Sequence, residues 1–177
     1  MPRLVLTVIG DDPSGLVSAL ADVVTAHDGN WEDSQLAELA GKFAGIVVVG
    51  DPAERVDELT AALRELDGLL EVTTHPGVEA LVADGGSGAG AGDEKRLTVD
   101  LLGNDSPGIV REVSSVLNRH DLSIETMTTS TREAPMAGGL LFEAHVVVRV
   151  PAESDTAGLR ADLERLASEL LVDIAVA

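Results

Sequence analysis

Two short stretches carry residues suited to holding a small charged molecule. In "VIGDDPSGLVSAL", residues 8–20, an apolar strand pattern passes through Gly10, Asp11, Asp12, Pro13, Ser14 and Gly15 into an apolar helix pattern. In "LLGNDSPGIVREV", residues 101–113, the same passage is made by Gly103, Asn104, Asp105, Ser106, Pro107 and Gly108. Asp12 before Pro13, and Asp105 or Ser106 before Pro107, suit the N-cap of a helix whose first turn contains proline, where the missing N–H costs nothing. Gly15 and Gly108 then fall inside the expected first turn, where alanine would favour the helix by about 1 kcal/mol. Two readings of these glycines stand. Either helix packs tightly on strand, or the open space lets a ligand or another backbone approach the free N–H groups and positive dipole end of the helix, which hold a carboxylate well.

The two stretches are copies. Gly10 and Gly103 stand 93 positions apart, and the same offset pairs Asp12 with Asp105, Gly15 with Gly108, Val17 with Val110, Val23 with Val116, His27 with His120, Asp28 with Asp121 and Glu32 with Glu125. Between the copies lies "VADGGSGAGAGDEKR", whose Gly85, Gly86, Gly88, Gly90 and Gly92 alternate with Ser and Ala. A Gly-rich segment of about a dozen residues behaves as a random coil spanning roughly 18–20 Å, so it reads as a linker over residues 84–94 between domains at 1–83 and 95–177.

The elements that must position the turns follow from hydrophobic period. In the first copy "RLVLTVIG" is an extended apolar run, and Leu16, Leu20, Val23 and Val24 then mark one face of a helix stopped near Gly29. "NWEDSQLAEL" and "GKFAGIVVVG" read as strands joined at Gly41. A second helix starting near Asp51-Pro52 carries Val56, Leu59, Leu63 and Leu66 on one face, and "GLLEVTTH" closes the copy. The second copy repeats this order with Ile109, Val113, Val116 and Leu117 on its first helix and Leu159, Leu163, Leu166 and Leu170 on its second. It carries six extra residues within "STREAPMAGG". The expected fold class is α+β: two ferredoxin-like βαββαβ units in tandem, each an antiparallel sheet covered on one face by two helices.

Composition removes several function classes. The 177 residues include no cysteine, so disulfides, thiolate metal sites and a Cys nucleophile are excluded. Twelve Lys and Arg against 31 Asp and Glu give a net charge of −19, whose field opposes direct contact with the phosphates of DNA or RNA. The apolar start "MPRLVLTVIGDD" is too short for a membrane span or a signal segment, which points to a cytoplasmic chain without membrane contact. His27-Asp28 and His120-Asp121 lack a second pair of metal ligands, and each His suits the negative end of a helix. "GGSGAGAG" lacks the Gly-Lys-Ser/Thr of a phosphate-binding loop, and Trp31 reads as partly buried core. No residue set suggests catalysis or a cofactor, so the chain reads as a non-enzyme.

"GDDPSGLVSALADVVTAHDGNWEDSQL" and "GNDSPGIVREVSSVLNRHDLSIETMTT" resemble the ACT domain's pattern of strand, D-x-P-G-like turn, apolar helix, His near the helix end and an Asn-Ile-like entry into the second strand. Two copies with no catalytic domain are similar to the glycine cleavage system transcriptional repressor family of tandem ACT proteins. The resemblance implies an amino-acid-sensing regulatory protein that acts through a protein partner such as a transcription factor, as a homo-oligomer and without direct nucleic-acid binding. The ligand it suggests is a small amino acid, glycine or serine. The implied site residues are Asp11, Asp12, Ser14, Gly15, Leu16 and Asn30 in the first copy, and Asn104, Asp105, Ser106, Gly108, Ile109 and Ser123 in the second. A zwitterion would suit them, with backbone N–H groups for its carboxylate and Asp or Asn side chains for its ammonium. Ser123 offers one hydroxyl where Asn30 offers an amide, so the two sites need not be equivalent. The alternative is a structural dimerisation module without a ligand.

Overall fold

The structure, a computed structural model, describes residues 3–11, 15–50, 55–66, 68–76, 95–135, 138–151 and 153–177. The chain divides into two compact units, Met1–Gly88 and Ala89–Ala177. The expected linker, 84–94, and the expected helix start at Asp51-Pro52 lie outside the described residues. In the first unit the order is β1 (Arg3–Asp11), α1 (Leu16–Ala26), β2 (Asn30–Leu39), β3 (Lys42–Gly50), α2 (Val56–Arg64) and β4 (Glu71–Pro76). The second unit repeats it with β5 (Lys95–Asn104), α3 (Ile109–Arg119), β6 (Ser123–Glu133), β7 (Leu140–Val150), α4 (Thr156–Leu170) and β8 (Val172–Val176).

Each unit has one four-stranded antiparallel sheet, ordered β2-β3-β1-β4 and β6-β7-β5-β8. Alternation along the strands places Leu4, Leu6 and Val8 of β1 with Val47 and Val49 of β3 on the side that meets Leu16, Leu20 and Val24 of α1 and Leu59 and Leu63 of α2. In the second unit Val99 and Leu101 join Val146, Val148 and Val150 beneath all four expected residues of α3 and Leu159, Leu163 and Leu166 of α4. Trp31 packs partly buried against the first core. Among the described residues of each unit, no helix of that unit packs on the other face of its sheet. Among the described residues no helix is long and apolar enough to cross a membrane.

Three local expectations need correction. The helices begin at Leu16 and Ile109, with Gly15 and Gly108 themselves in the N-cap position rather than Asp12, Asp105 or Ser106. Both glycines are left-handed, at φ 100° and 99°, and among the described residues a Cβ on either would meet nothing within 4 Å. Backbone conformation, not tight packing, therefore calls for glycine. At the far end of α1 the left-handed residue is Asp28 (φ 58°), matched by Asp121 (φ 54°), and not Gly29. The N–H groups of Gly29 and Leu122 then close the helices onto the carbonyls of Val24 and Leu117.

The six extra residues of the second copy divide between turn and strands. A two-residue turn, Ala40-Gly41, joins β2 to β3, both residues having positive φ as a twisted hairpin requires. Six residues, 134–139, join the longer β6 and β7. The helix-to-strand connections differ as well: residues 65–70 separate α2 from β4, whereas Leu171 alone separates α4 from β8. Leu171 stands at φ 55° and is 82% exposed, so its side chain gives little packing in return for a left-handed backbone. Leu171→Gly is expected to raise the unfolding free energy by about 0.5–1 kcal/mol, because the steric cost removed exceeds the added chain entropy of glycine. Urea denaturation of the two proteins measures this directly.

Candidate functional site

The strand-to-helix turns are the first place to look for binding chemistry, and in the second unit the turn is described throughout. Asn104 ends β5, and Asn104, Asp105, Ser106, Pro107 and Gly108 are all exposed. The Asp105 N–H donates to the Leu140 carbonyl at 2.8 Å, which ties the turn to the start of β7. Among the described residues no side chain accepts from the first-turn N–H groups of α3, whereas at α4 the Asp155 carboxylate accepts from the Gly158 N–H at 2.9 Å. The α3 N-terminus therefore presents orphan donors beside exposed amide, carboxyl and hydroxyl groups. Ile109, a predicted site residue, is 2% exposed and belongs to the core, as does Leu16 at 5% in the first unit. Each can shape the turn only from below.

In the first unit Asp12 and Ser14 lie outside the described residues. Gly15 is exposed at the N-cap of α1, and Asp11 ends β1 with its carboxylate paired to the ammonium of Lys42, the residue opposite it on β3. In the second unit the corresponding opposed residues are Asn104 and Leu141, so no such pair exists there. A hollow of about 340 Å³ lies beside the Asp11–Lys42 pair, walled by Gly68, Leu69 and Leu70 from the α2–β4 connection and by Glu71 at the start of β4. Lys42 and Glu71 escaped the sequence reading. The Lys directly after the Ala-Gly hairpin turn was their only signal, and using it requires the register of β1 on β3.

Asn30 and Ser123 occupy equivalent places, the exposed first residues of β2 and β6. Two residues further on, each strand has a bulge, at Glu32 and at Glu125. The Glu32 carboxylate accepts from Arg3 Nε at 2.6 Å and lies over Gly50, where a Cβ would collide with it. Residue 149 takes the place of Gly50 in the second unit and is arginine. There Glu125 accepts from Arg96 Nε at 2.7 Å and from Arg149 Nη2 at 2.9 Å, with its side chain 17% exposed. The hydrogen bond from Arg96, then that from Arg149, hold its carboxyl below the usual range. These ion pairs pin the strand entries that carry Asn30 and Ser123.

His27 and His120 cap the C-termini of α1 and α3. His27 Nδ1 lies 2.9 Å from the Val23 carbonyl, while His120 Nε2 lies 2.9 Å from Asp162 of α4. The hydrogen bond from His120 is the largest influence lowering the Asp162 pKa, ahead of the charges of Arg165 and Arg119. Among the described residues no group of three or more His, Asp or Glu could hold a metal ion. A larger hollow, about 560 Å³, spreads over the bare face of the second sheet around Asp100 and His145, whose side chains meet at 2.6 Å. It contains none of the predicted site residues.

Comparison with known proteins decides the family. The ACT domain family model matches residues 2–76 and again 95–177. The chain belongs to the ACT domain family. It is 24% identical over 176 residues to the glycine cleavage system transcriptional repressor of Escherichia coli K12, covering 94% of this chain and 85% of that one, and matches the Shigella flexneri protein of the same name equally well. Among solved structures, a protein of unknown function from Galdieria sulphuraria superposes with a TM-score of 0.86 at 27% identity, over 99% of this chain and 96% of that one. A protein provisionally assigned as a glycine cleavage system transcriptional repressor superposes with a TM-score of 0.68 at 16% identity, over the same shares, and supports the fold alone.

In this tandem ACT protein the Glu125 pairing generates a pH prediction. Because its folded pKa is depressed, Glu125 contributes stability that is fully present above its unfolded pKa, about 4.3, and lost as pH falls through the folded value. Glu125→Gln is expected to destabilise the second ACT unit by about 1–2 kcal/mol at pH 7, and the difference from wild type should shrink as pH falls below the unfolded value and through the lower folded one. Denaturant titrations at pH 7, 5, 4 and 3 check both the size and the sign.

Proposed function

We propose that this tandem ACT protein senses a small amino acid at its strand-to-helix turns and reports the bound state through contact with another protein. In this reading it acts in transcriptional regulation, in the cytoplasm, without touching DNA and without catalysing a reaction. Its working parts are domains at 1–83 and 95–177 on a Gly-rich connector. The observation that carries the reading is the uncapped α3 N-terminus, open to solvent and flanked by exposed Asn104, Asp105 and Ser106. A zwitterion matches such a place: its carboxylate meets the helix N–H groups and its ammonium meets Asp or Asn oxygen atoms. Asn30 and Ser123 stand at the opposite end of their sheets, eight residues along β1 and β5 from these turns, so a contact from either reaches a turn other than that of its own unit. The repressor relatives bear the name of the glycine cleavage system, which makes glycine the first ligand to try and serine the next.

A regulator without DNA contact needs a protein to act on, and a transcription factor with a basic face is the partner that the −19 charge would favour. The protein alone is expected to leave duplex DNA unshifted in a mobility assay even at low salt, where phosphate attraction is greatest. Tight, salt-sensitive binding by the chain itself would overturn this part of the reading.

Ligand binding has its own test. At about 100 times its Kd, an amino acid stabilises the native state by about 2.7 kcal/mol, which raises Tm by roughly 5–10 °C for a chain of this size. A thermal-shift panel of the amino acids is expected to show such a rise for glycine or serine. Asn30→Ala should reduce it more than Ser123→Ala. Substituting Gly15 or Gly108 is a poor probe by absolute Tm, since any side chain strains a left-handed N-cap, so the ligand-induced difference within each variant is the quantity to compare. If no amino acid shifts the wild type, a dimerisation module without a ligand becomes the better account.

A further inference from the structure

We infer that the first unit binds a zwitterion through both of its charges, with Lys42 receiving the carboxylate and Asp11 with Glu71 receiving the ammonium. This rests on the amino-acid reading and says which groups make it specific.

The argument starts from register. Asp11 and Lys42 are direct partners across β1 and β3, on the sheet face away from the helices, and their side chains already form an ion pair at the rim of the 340 Å³ hollow. That volume lies within the about 300–1,000 Å³ range of small-molecule sites. Glu71, opposite Ile9 on the other side of β1, brings a second carboxylate to the same hollow. Among the described residues the lining therefore holds two anionic groups and one cationic group. An ammonium and a carboxylate attached to one carbon complement that set, whereas an amine alone or an acid alone leaves one side unmatched.

Opening the existing pair costs little. The Lys42 and Asp11 side chains are 62% and 79% exposed, and ion pairs so open to water contribute little to stability. A zwitterion inserted between them returns a charged partner to each. The wall of the hollow is a separate observation pointing the same way. Gly68, at φ 102°, and Leu69 belong to a six-residue connection that has no counterpart in the second unit, where Leu171 alone joins helix to strand. With Asn104 and Leu141 in place of Asp11 and Lys42, the second unit has neither the ion pair nor the wall, although Asp173 opposite Leu102 takes the place of Glu71.

The test is calorimetric titration of the full chain with glycine, the simplest zwitterion, and with methylamine and acetate, which carry one of its charges each. Glycine is expected to bind at least 100-fold more tightly than either half-analogue. Lys42→Met should weaken glycine at least tenfold and shrink its advantage over methylamine, while Asp11→Asn should shrink its advantage over acetate. A general loss of structure would lower all affinities without changing these ratios, and a urea melt of each unliganded variant confirms that it folds. Glycine binding with unchanged ratios in both variants overturns the inference and leaves the sensing reading intact. Failure of the wild type to bind glycine or any other amino acid overturns the sensing reading itself, and the inference with it.

Discussion

A left-handed residue between strand and helix is the constraint on which the rest of each unit depends. β1 and β5 lie in the interior of their sheets, and the chain must leave them and turn at once onto the sheet's covered face so that Leu16 or Ile109 enters the core. Gly15 and Gly108 make that turn at φ near 100°, where a Cβ is strained whatever the space around it. A glycine in the N-cap position has no side chain to offer the helix. The geometry that seats the apolar helix on the sheet thus also leaves its first N–H groups open, as they are at α3. Structural demand and binding capacity come from the same atom that is missing.

Duplication kept this turn and let its surroundings diverge. The Arg–Glu tie at the bulge persists in both units, but Gly50 makes room for Glu32 in one and Arg149 adds a second guanidinium to Glu125 in the other. On the bare faces, Thr7 faces Ile46 where Asp100 faces His145. At the turn itself, an ion pair stands where the other unit has an amide beside a leucine. Each change replaces one pair of facing residues with another of different chemistry at unchanged register. The sheet therefore tolerates them, because the backbone ladder does not depend on what the exposed side chains carry.

Most of the fold was legible in the sequence because it is written in hydrophobic period. Leu16, Leu20 and Val24, or Ile109, Val113, Val116 and Leu117, could hardly lie on one helix face without burying it, and the 93-residue offset let each copy check the other. The helix starts were misplaced because Asp and Ser before Pro make a good cap by composition, while the left-handed turn that displaces them by two or three residues has only glycine as its sign. At Asp28 and Asp121 an aspartate takes the left-handed backbone just past the helix, a detail that the stop signal at Gly29 did not carry. Asp11 was found as part of the turn, but Lys42 and Glu71 meet it through pairing across the sheet, and no local pattern records that.

The overall charge bears on what such a site can admit. A net charge of −19 surrounds every opening with a negative potential, which salt screens beyond about 8 Å but does not remove close to the surface. A free acid approaching the hollow is repelled at both ranges, by the whole protein and by Asp11 and Glu71. A simple amine is attracted at long range but leaves Lys42 facing its own uncompensated charge. A neutral zwitterion experiences little net force during approach, and only on arrival do its two ends separate the local groups by sign. In a protein so acidic, a single lysine beside two carboxylates is therefore enough to favour molecules that carry both charges over those that carry one.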